Sequence, residues 1–309
     1  MRFFTLFIAI ITFFSNAFGQ SLPVRQMDSK LIGKDSVNIY YDEHYKIIES
    51  GCAGMIRFGH LDSLHRHFIG KFKDVSKNDS VLIVSEGNYA ADGLKNGAFI
   101  VHYLKGTLQA KGYFKNDNYE GEWVFYDANG QLREKSNFEN GRYEGKCEFY
   151  NEDGSPSVFM LVKGNNCRVT DAWGTDGKKT VNEGNGDYVF YDGSLIWQGK
   201  LASGIPDSVW TFKVSNDVYG NEFFEKGSFR EGTNHTTMGI SSYNDHSRIK
   251  YAPPTPPKLA ILNADKLRFA DYISCDGTDY SKYHKWQTKF LGKLFQTTFT
   301  PLPGSHWQK

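Results

Sequence analysis

Gly97, Gly121 and Gly145 stand 24 residues apart; so do Gly106, Gly130 and Gly154, and so do Phe114, Phe138 and Val162. Three columns in one register define a tandem repeat, and a repeat this short confines the fold. Each unit is one supersecondary element that cannot bury its own apolar face and must stack on its neighbours. The fullest unit runs Asn118-Tyr-Glu-Gly-Glu-Trp-Val-Phe-Tyr-Asp-Ala-Asn-Gly-Gln-Leu132 and closes at Phe138; the next opens Arg142-Tyr-Glu-Gly-Lys-Cys-Glu-Phe-Tyr150.

Alternation makes the element a pair of strands. Tyr119, Trp123 and Phe125 share parity and point to one face, as do Leu132 and Phe138 on the return strand. Asp127-Ala-Asn-Gly130 and Asn151-Glu-Asp-Gly154 lie between strands, with glycine where a hairpin connection needs positive φ, and Asn140-Gly141 marks the turn to the next unit. The ring-rich core column is therefore expected to hold Phe99, Tyr119, Trp123, Phe125, Leu132, Phe138, Tyr143, Phe149, Tyr188, Phe190, Trp210 and Phe212. Tyr126, Tyr150 and Tyr191 have the opposite parity and would form a ladder of rings on the other face, explained by cross-strand packing or by a binding platform for proteins or glycans.

The register then slips. Residues 164–185 read as a degenerate unit with the turn Asp176-Gly177, Gly186-Asp-Tyr-Val-Phe-Tyr191 recovers the motif, and Ser208-Val-Trp-Thr-Phe212 repeats it with Ser in the glycine column. About five units are expected between residues 87 and 232, beginning at Asn96-Gly97. The alternating runs within residues 20–86 predict an N-terminal β cap in the same sheet.

The first 19 residues have the organisation of a signal peptide: Arg2, an apolar run from Phe3 to Phe14, and the small-x-small site Ala17-Phe18-Gly19 before Gln20. An uncleaved anchor is the alternative. No Cys follows the apolar run, so a lipid anchor is not expected, and no later stretch reads as a membrane-crossing helix. The expected location is periplasmic or secreted, where Cys52, Cys147, Cys167 and Cys275 can form disulfides in any of three pairings. A net charge of +1 gives no reason to expect nucleic acid as a partner.

Tyr119-Glu-Gly-Glu-Trp123 resembles the opening of a MORN repeat. With Phe125-Tyr126, the glycine turn and Leu132, it is similar to the YwqK-type antitoxin repeats of exported proteins in Bacteroidetes-like bacteria. The resemblance spans about half the chain. It implies a mainly β fold, an elongated curved antiparallel sheet of tandem hairpins, and a binding or scaffold role in which toxin neutralisation is the weaker reading. Cys147, where a ring is expected, and the slipped fourth unit depart from the pattern.

Residues 233–257 read as a linker ending in the stiff run Ala252-Pro-Pro-Thr-Pro-Pro257, and residues 258–309 as a small helical segment. Tyr283, Trp286, Phe290 and Leu294 recur at helical spacing, with Asp279 as a cap and Lys282, Lys285, Lys289 and Lys293 beside them; Asn263 would cap an earlier helix. Such a helix covers the sheet, lies on an anionic membrane surface, or binds a partner.

Candidate chemistry is sparse. His60, His65 and His67 with Asp62 form the densest group of metal-ligand types, and scattered loop histidines explain them more simply. Asn182-Glu-Gly-Asn-Gly-Asp187 lacks the spacing of a calcium loop, and Ser247-Arg-Ile-Lys250 lacks the helix and companion motifs of a serine acylase. Glu120, Glu122 and Glu144 read as solvated repeat positions. No catalytic residue, metal or cofactor is expected. A protein partner in the cell envelope is the leading expectation, a glycan or anionic membrane surface the alternative.

Overall fold

A computed structural model of the chain describes residues 24–26, 30–32, 35–62, 67–214, 217–249, 251–264, 275–276, 285–290 and 293–298. From Lys30–Leu31 to Gly239–Tyr243 each strand pairs antiparallel with its neighbours in sequence, giving one meandering sheet. No pairing among the described residues joins its first strand to its last, so the sheet is open. The strands Ser36–Tyr41, Met55–Asp62, His67–Ser76 and Ile83–Tyr89 begin this same sheet, as expected of the N-terminal region.

The two sides of the meander use different turns. At one edge Asn116-Asp117, Asn140-Gly141, Glu183-Gly184, Ser203-Gly204 and Lys226-Gly227 take positive φ at both positions, the turn whose twist matches that of the strands. Carboxylates of the repeat support turns on this edge: Glu120 Oε2 accepts from the Asn140 N–H at 3.2 Å, and Glu144 Oε2 from the Gly164 N–H of the neighbouring turn at 2.7 Å. At the other edge Asp127–Gln131 closes with the Asp127 N–H donating to the Gln131 carbonyl, while Asp127 Oδ1 accepts from the Asn129 and Gln131 N–H groups. The column of Gly97, Gly121 and Gly145 also lies at positive φ, and Ser208, standing in that column, is forced to φ 61°.

The inner face carries stacked rings on either side of a middle stretch filled by Met160, Val162, Cys167, Val169, Ala172 and Val181. Phe114, Tyr119, Trp123, Phe125 and Phe138 form one chain of contacts, with centroids 4.7–6.4 Å apart. Phe99, Tyr119, Trp123, Phe125, Phe138, Tyr143, Tyr188, Trp210 and Phe212 are buried; Leu132, Phe149 and Phe190 are half-buried. Each tryptophan of the motif lies over a glycine on the preceding strand. A Cβ at Gly112 would sit 2.1 Å from Trp123 Cδ2, and one at Gly199 would sit 2.4 Å from Trp210 Cδ2.

The proline-rich run is not a linker. Residues 247–264 return along the inner face as a strap. Ser247 Oγ donates to Glu222 Oε2 at 2.5 Å, Tyr251 Oη donates to the Gly204 carbonyl at 2.6 Å, and the Pro257 carbonyl accepts from Tyr119 Oη at 2.7 Å. Beyond them the Ala264 carbonyl accepts from Tyr41 Oη at 3.4 Å. Leu259, Ile261 and Ala264 are buried in the same core as the rings. Prolines suit this path, because an extended segment without strand partners leaves few N–H groups to satisfy. Fully extended, eighteen residues reach about 60 Å, which is long enough to cross most of the sheet. A disulfide between Cys52 and Cys275 then ties the chain back to the start of the sheet; Cys147 and Cys167 are free and buried.

The helix expected around Tyr283–Leu294 is absent. Lys285–Phe290 and Lys293–Thr298 are strands, paired antiparallel, and the first also pairs parallel with Val24–Gln26. Lys285, Trp286, Lys289 and Phe290 therefore lie on a strand, not on a membrane or partner helix; Lys282 and the cap Asp279 lie outside the described residues. Trp, Thr and Phe favour strands, and Gly292 interrupts the run, so apolar residues at spacings of three and four were compatible with a hairpin. Asn263 ends a short 3-10 turn, Ala260–Asn263, and the helix expected after it lies outside the described residues. Among the described residues no helix is long and apolar enough to cross a membrane.

Candidate functional site

Buried polar groups interrupt the apolar inner face around Arg57, around Glu134, and at Lys95 and Glu222. At the start of the sheet Arg57 is fully buried and donates to both oxygens of Asp74, from Nε at 2.7 Å and from Nη2 at 2.8 Å, and to Tyr89 Oη at 3.1 Å. The rings of Tyr41, Tyr45, Phe68, Phe72 and Tyr89 surround its guanidinium at 4.1–5.8 Å. Every charge here is met, so the cluster fixes strand register and has no free group for a ligand.

The second cluster is unsatisfied. On the strand Leu132–Glu139 the inward positions are Leu132, Glu134, Ser136 and Phe138. In the other return strands Ala110, Val158 and Trp197 occupy the Glu134 column, so its carboxyl stands alone in an apolar column. Glu134 is 6% exposed, and its Oε1, the Ser136 and Tyr143 hydroxyls and Arg133 Nε all lack hydrogen-bond partners. Burial pushes the Glu134 carboxyl up to about 7 despite the nearby Ser136 and Tyr143 hydroxyls. Cys147 lies beside the cluster, its thiol raised to about 11 by burial, and Cys167 is raised to about 12 by the same cause. Neither is a nucleophile at neutral pH.

Arg133 has no partner on the strand Asn118–Tyr126, because the register shifts between Leu132 and Glu134. This bulge lets neighbouring residues face the same cleft. The cleft, about 430 Å³, lies between the strap at Pro257–Leu259 and the ends of the strands, walled by Tyr103, Phe125, Tyr126, Phe149 and Tyr150 with Arg133, Glu134 and Asp127. Arg133 Nη1 is 3.7 Å from Asp127 Oδ2. A second cleft of about 380 Å³ shares Tyr103 and Gln109 and includes His102, whose buried Nδ1 is also unpartnered.

The expected Tyr ladder is therefore divided. Tyr126 and Tyr150 are half-buried and wall the same cleft, while Tyr191 is 67% exposed on a different part of the sheet. Tyr150 also packs on Phe159 at 5.7 Å, and Phe159 on Trp173 at 4.8 Å. His60 Nδ1 lies 3.4 Å from Ser36 Oγ and His67 Nε2 lies 3.1 Å from the Ala91 carbonyl; His65 lies outside the described residues. No group of three metal-ligand side chains occurs among the described residues. Asn182–Asp187 forms a turn and strand start, Ser247 serves Glu222, and Lys250 lies outside the described residues. Sequence reading passed over Glu134, although its inward parity and its column of apolar equivalents were both visible.

An open meander of stacked hairpins, with turns at positive φ and an apolar inner face, defines a repeat-built module. The comparison with known families agrees: the MORN repeat variant family matches residues 119–140. The match falls on the fullest unit and makes the repeat MORN-like. No curated protein matches the chain.

Proposed function

We propose that this is an exported, non-enzymatic repeat protein of the YwqK-type antitoxin kind, from a Bacteroidetes-like bacterium, that holds a protein partner in the cell envelope. The signal-peptide organisation of residues 1–19 supports export. The observation that carries binding is the outer face of the later strands. Tyr191, Ile196, Lys213 and Val218 lie side by side in register, and Val209 lies beside Phe223. Of these, Tyr191, Val209, Val218 and Phe223 are exposed. In the middle of the sheet the same face carries Lys135–Glu122 at 3.2 Å, Lys179–Asp171 at 2.6 Å and a Lys146–Glu148 pair. Exposed apolar side chains set among polar ones on a sheet face are a protein-docking feature.

The test is affinity capture from envelope extract with the tagged chain beginning at Gln20, beside a Val209→Ser/Phe223→Ser variant. One dominant protein held by the parent and lost by the variant is the expected result. Equal capture by both removes this face from the proposal.

A further inference from the structure

The two ends of the sheet are finished differently. The first is blunted. Its outermost strand, Lys30–Leu31, pairs only with Val37 and Asn38 of the next. Residues 42–48 fold back over the rest, with the Ile48 N–H donating to the Tyr40 carbonyl and Tyr41 bridged to Ile47. The last strand, Gly239–Tyr243, pairs with Ser228–Thr236 on one side and with no other strand among the described residues. Gly239, Ser241 and Ser242 are exposed, Ile240 is 70% exposed, and Met238 in the turn before it is 98% exposed. The strand holds no charge, proline or bulge, the devices that keep an uncovered edge from pairing, so it is a template for another strand.

Its register fits one partner in particular. The hairpin turns on Thr237 and Met238, and Thr236 pairs with Gly239. In a two-residue hairpin the closing pair exchanges hydrogen bonds and alternate pairs follow it. The N–H and C=O groups of Ile240 and Ser242 therefore point away from the sheet. Laid antiparallel on itself about Ser241, the strand sets Ile240 opposite Ser242 and Gly239 opposite Tyr243. The first pairing joins the outward-pointing groups of both copies. The second repeats a contact the sheet already uses, an inner-face ring over a glycine. A Cβ added at Gly87, Gly220 or Gly232 would come within 2.3–2.6 Å of the ring of Phe99, Phe212 or Tyr243, whereas one at Gly239 would meet open space. The uncharged edge also meets its copy without like-charge repulsion, and the two Ile240 side chains lie diagonal to each other across the axis.

We propose that the protein forms a two-fold homodimer through this edge, Gly239–Tyr243 of one copy antiparallel to the same strand of the other, so that the two sheets run on as one. The contact is separate from Val209 and Phe223 and does not rest on the outer-face reading.

Sedimentation equilibrium of the full chain from Gln20, at rising concentration, tests it. The mass should rise from monomer to dimer. Ile240→Lys should weaken the dimer at least about tenfold, as charge on an edge strand does. Ser242→Pro removes an N–H that points away from the sheet and should weaken it similarly, with the monomer's unfolding midpoint unchanged. Ser241→Cys, whose two copies face each other at the axis, should give a disulfide-linked dimer on mild oxidation where the parent chain gives none. Val209→Ser/Phe223→Ser should leave the dimer intact. Monomer mass at every concentration overturns the proposal, even where the edge takes a strand of another protein. So does a dimer indifferent to both edge substitutions, one without the Ser241→Cys cross-link, or one lost in the outer-face variant. If Ser242→Pro fails to fold, Ile240→Lys, at an exposed side chain, decides.

Discussion

The units built on Trp123 and Trp210 and the unit built on Cys147 occupy the same sheet and solve one packing problem in opposite ways. In the first two a large ring covers a glycine of the preceding strand, Gly112 or Gly199. In the third the ring has shrunk to Cys147 and the residue across from it has grown to Ser136, both fully buried. The repeat keeps neither the identity of a column nor the volume of a cross-strand pair, for Ser136 with Cys147 is much smaller than Gly112 with Trp123. The exchange also changes polarity, for Ser136, Glu134 and Tyr143 bring unmet polar groups to the unit that gave up its ring.

The comparison breaks most visibly on deleting the large members. Trp123→Ala is expected to cost about 3–5 kcal/mol, while Cys147→Ala should cost about 1 kcal/mol, read as midpoint shifts in urea unfolding. Next in size is the pH response of Glu134. Its folded carboxyl is raised above the unfolded value, so the folded state holds the proton more tightly. Stability is full below about pH 4.5 and declines as pH rises through about 7, a loss on the order of 3 kcal/mol, and Glu134→Gln should flatten that slope in unfolding curves taken from pH 5 to 8. Filling the gap under a ring comes third. Gly112→Ala must displace Trp123 and should cost about 2 kcal/mol, whereas Ser136→Ala, which removes a hydroxyl without a partner, should be neutral or stabilising in the same assay. The smallest effect is a gain: Ser208→Gly relieves a positive φ and should raise stability by about 0.5–1 kcal/mol.

Much of the sheet could be read in advance because its signals are local. Glycine at a fixed interval dictates turns, and ring parity dictates a face, so Gly130, Trp123 and Phe138 fell where alternation put them. Even the Ser in the glycine column announced itself, and the backbone at Ser208 is strained as that position requires. What sequence could not supply was long-range. The hydrogen bond from Tyr119 to Pro257 spans 138 positions and the Cys52–Cys275 bridge 223, and no periodicity encodes either. The C-terminal error had a different cause: Trp286 and Phe290 satisfy a helical spacing and a strand alternation equally, and the parallel pairing with Val24–Gln26 decided between them. The cleft was half legible. Glu134 stood in the core register, but its isolation depended on the strap that closes over it.

That strap gives the array a fixed length. In most tandem repeats a unit can be gained or lost at little cost, since each touches only its neighbours. Here one continuous segment is anchored at Glu222 near the far end and at Tyr41 near the beginning, and the Cys52–Cys275 disulfide adds a covalent anchor. One more hairpin would lengthen the sheet by about 9–10 Å and require about three more extended residues in the strap. Duplication or deletion of a unit must therefore be matched by a simultaneous change in a separate segment of the chain. The strap works as a molecular ruler, and it makes the number of repeats a trait inherited as a whole.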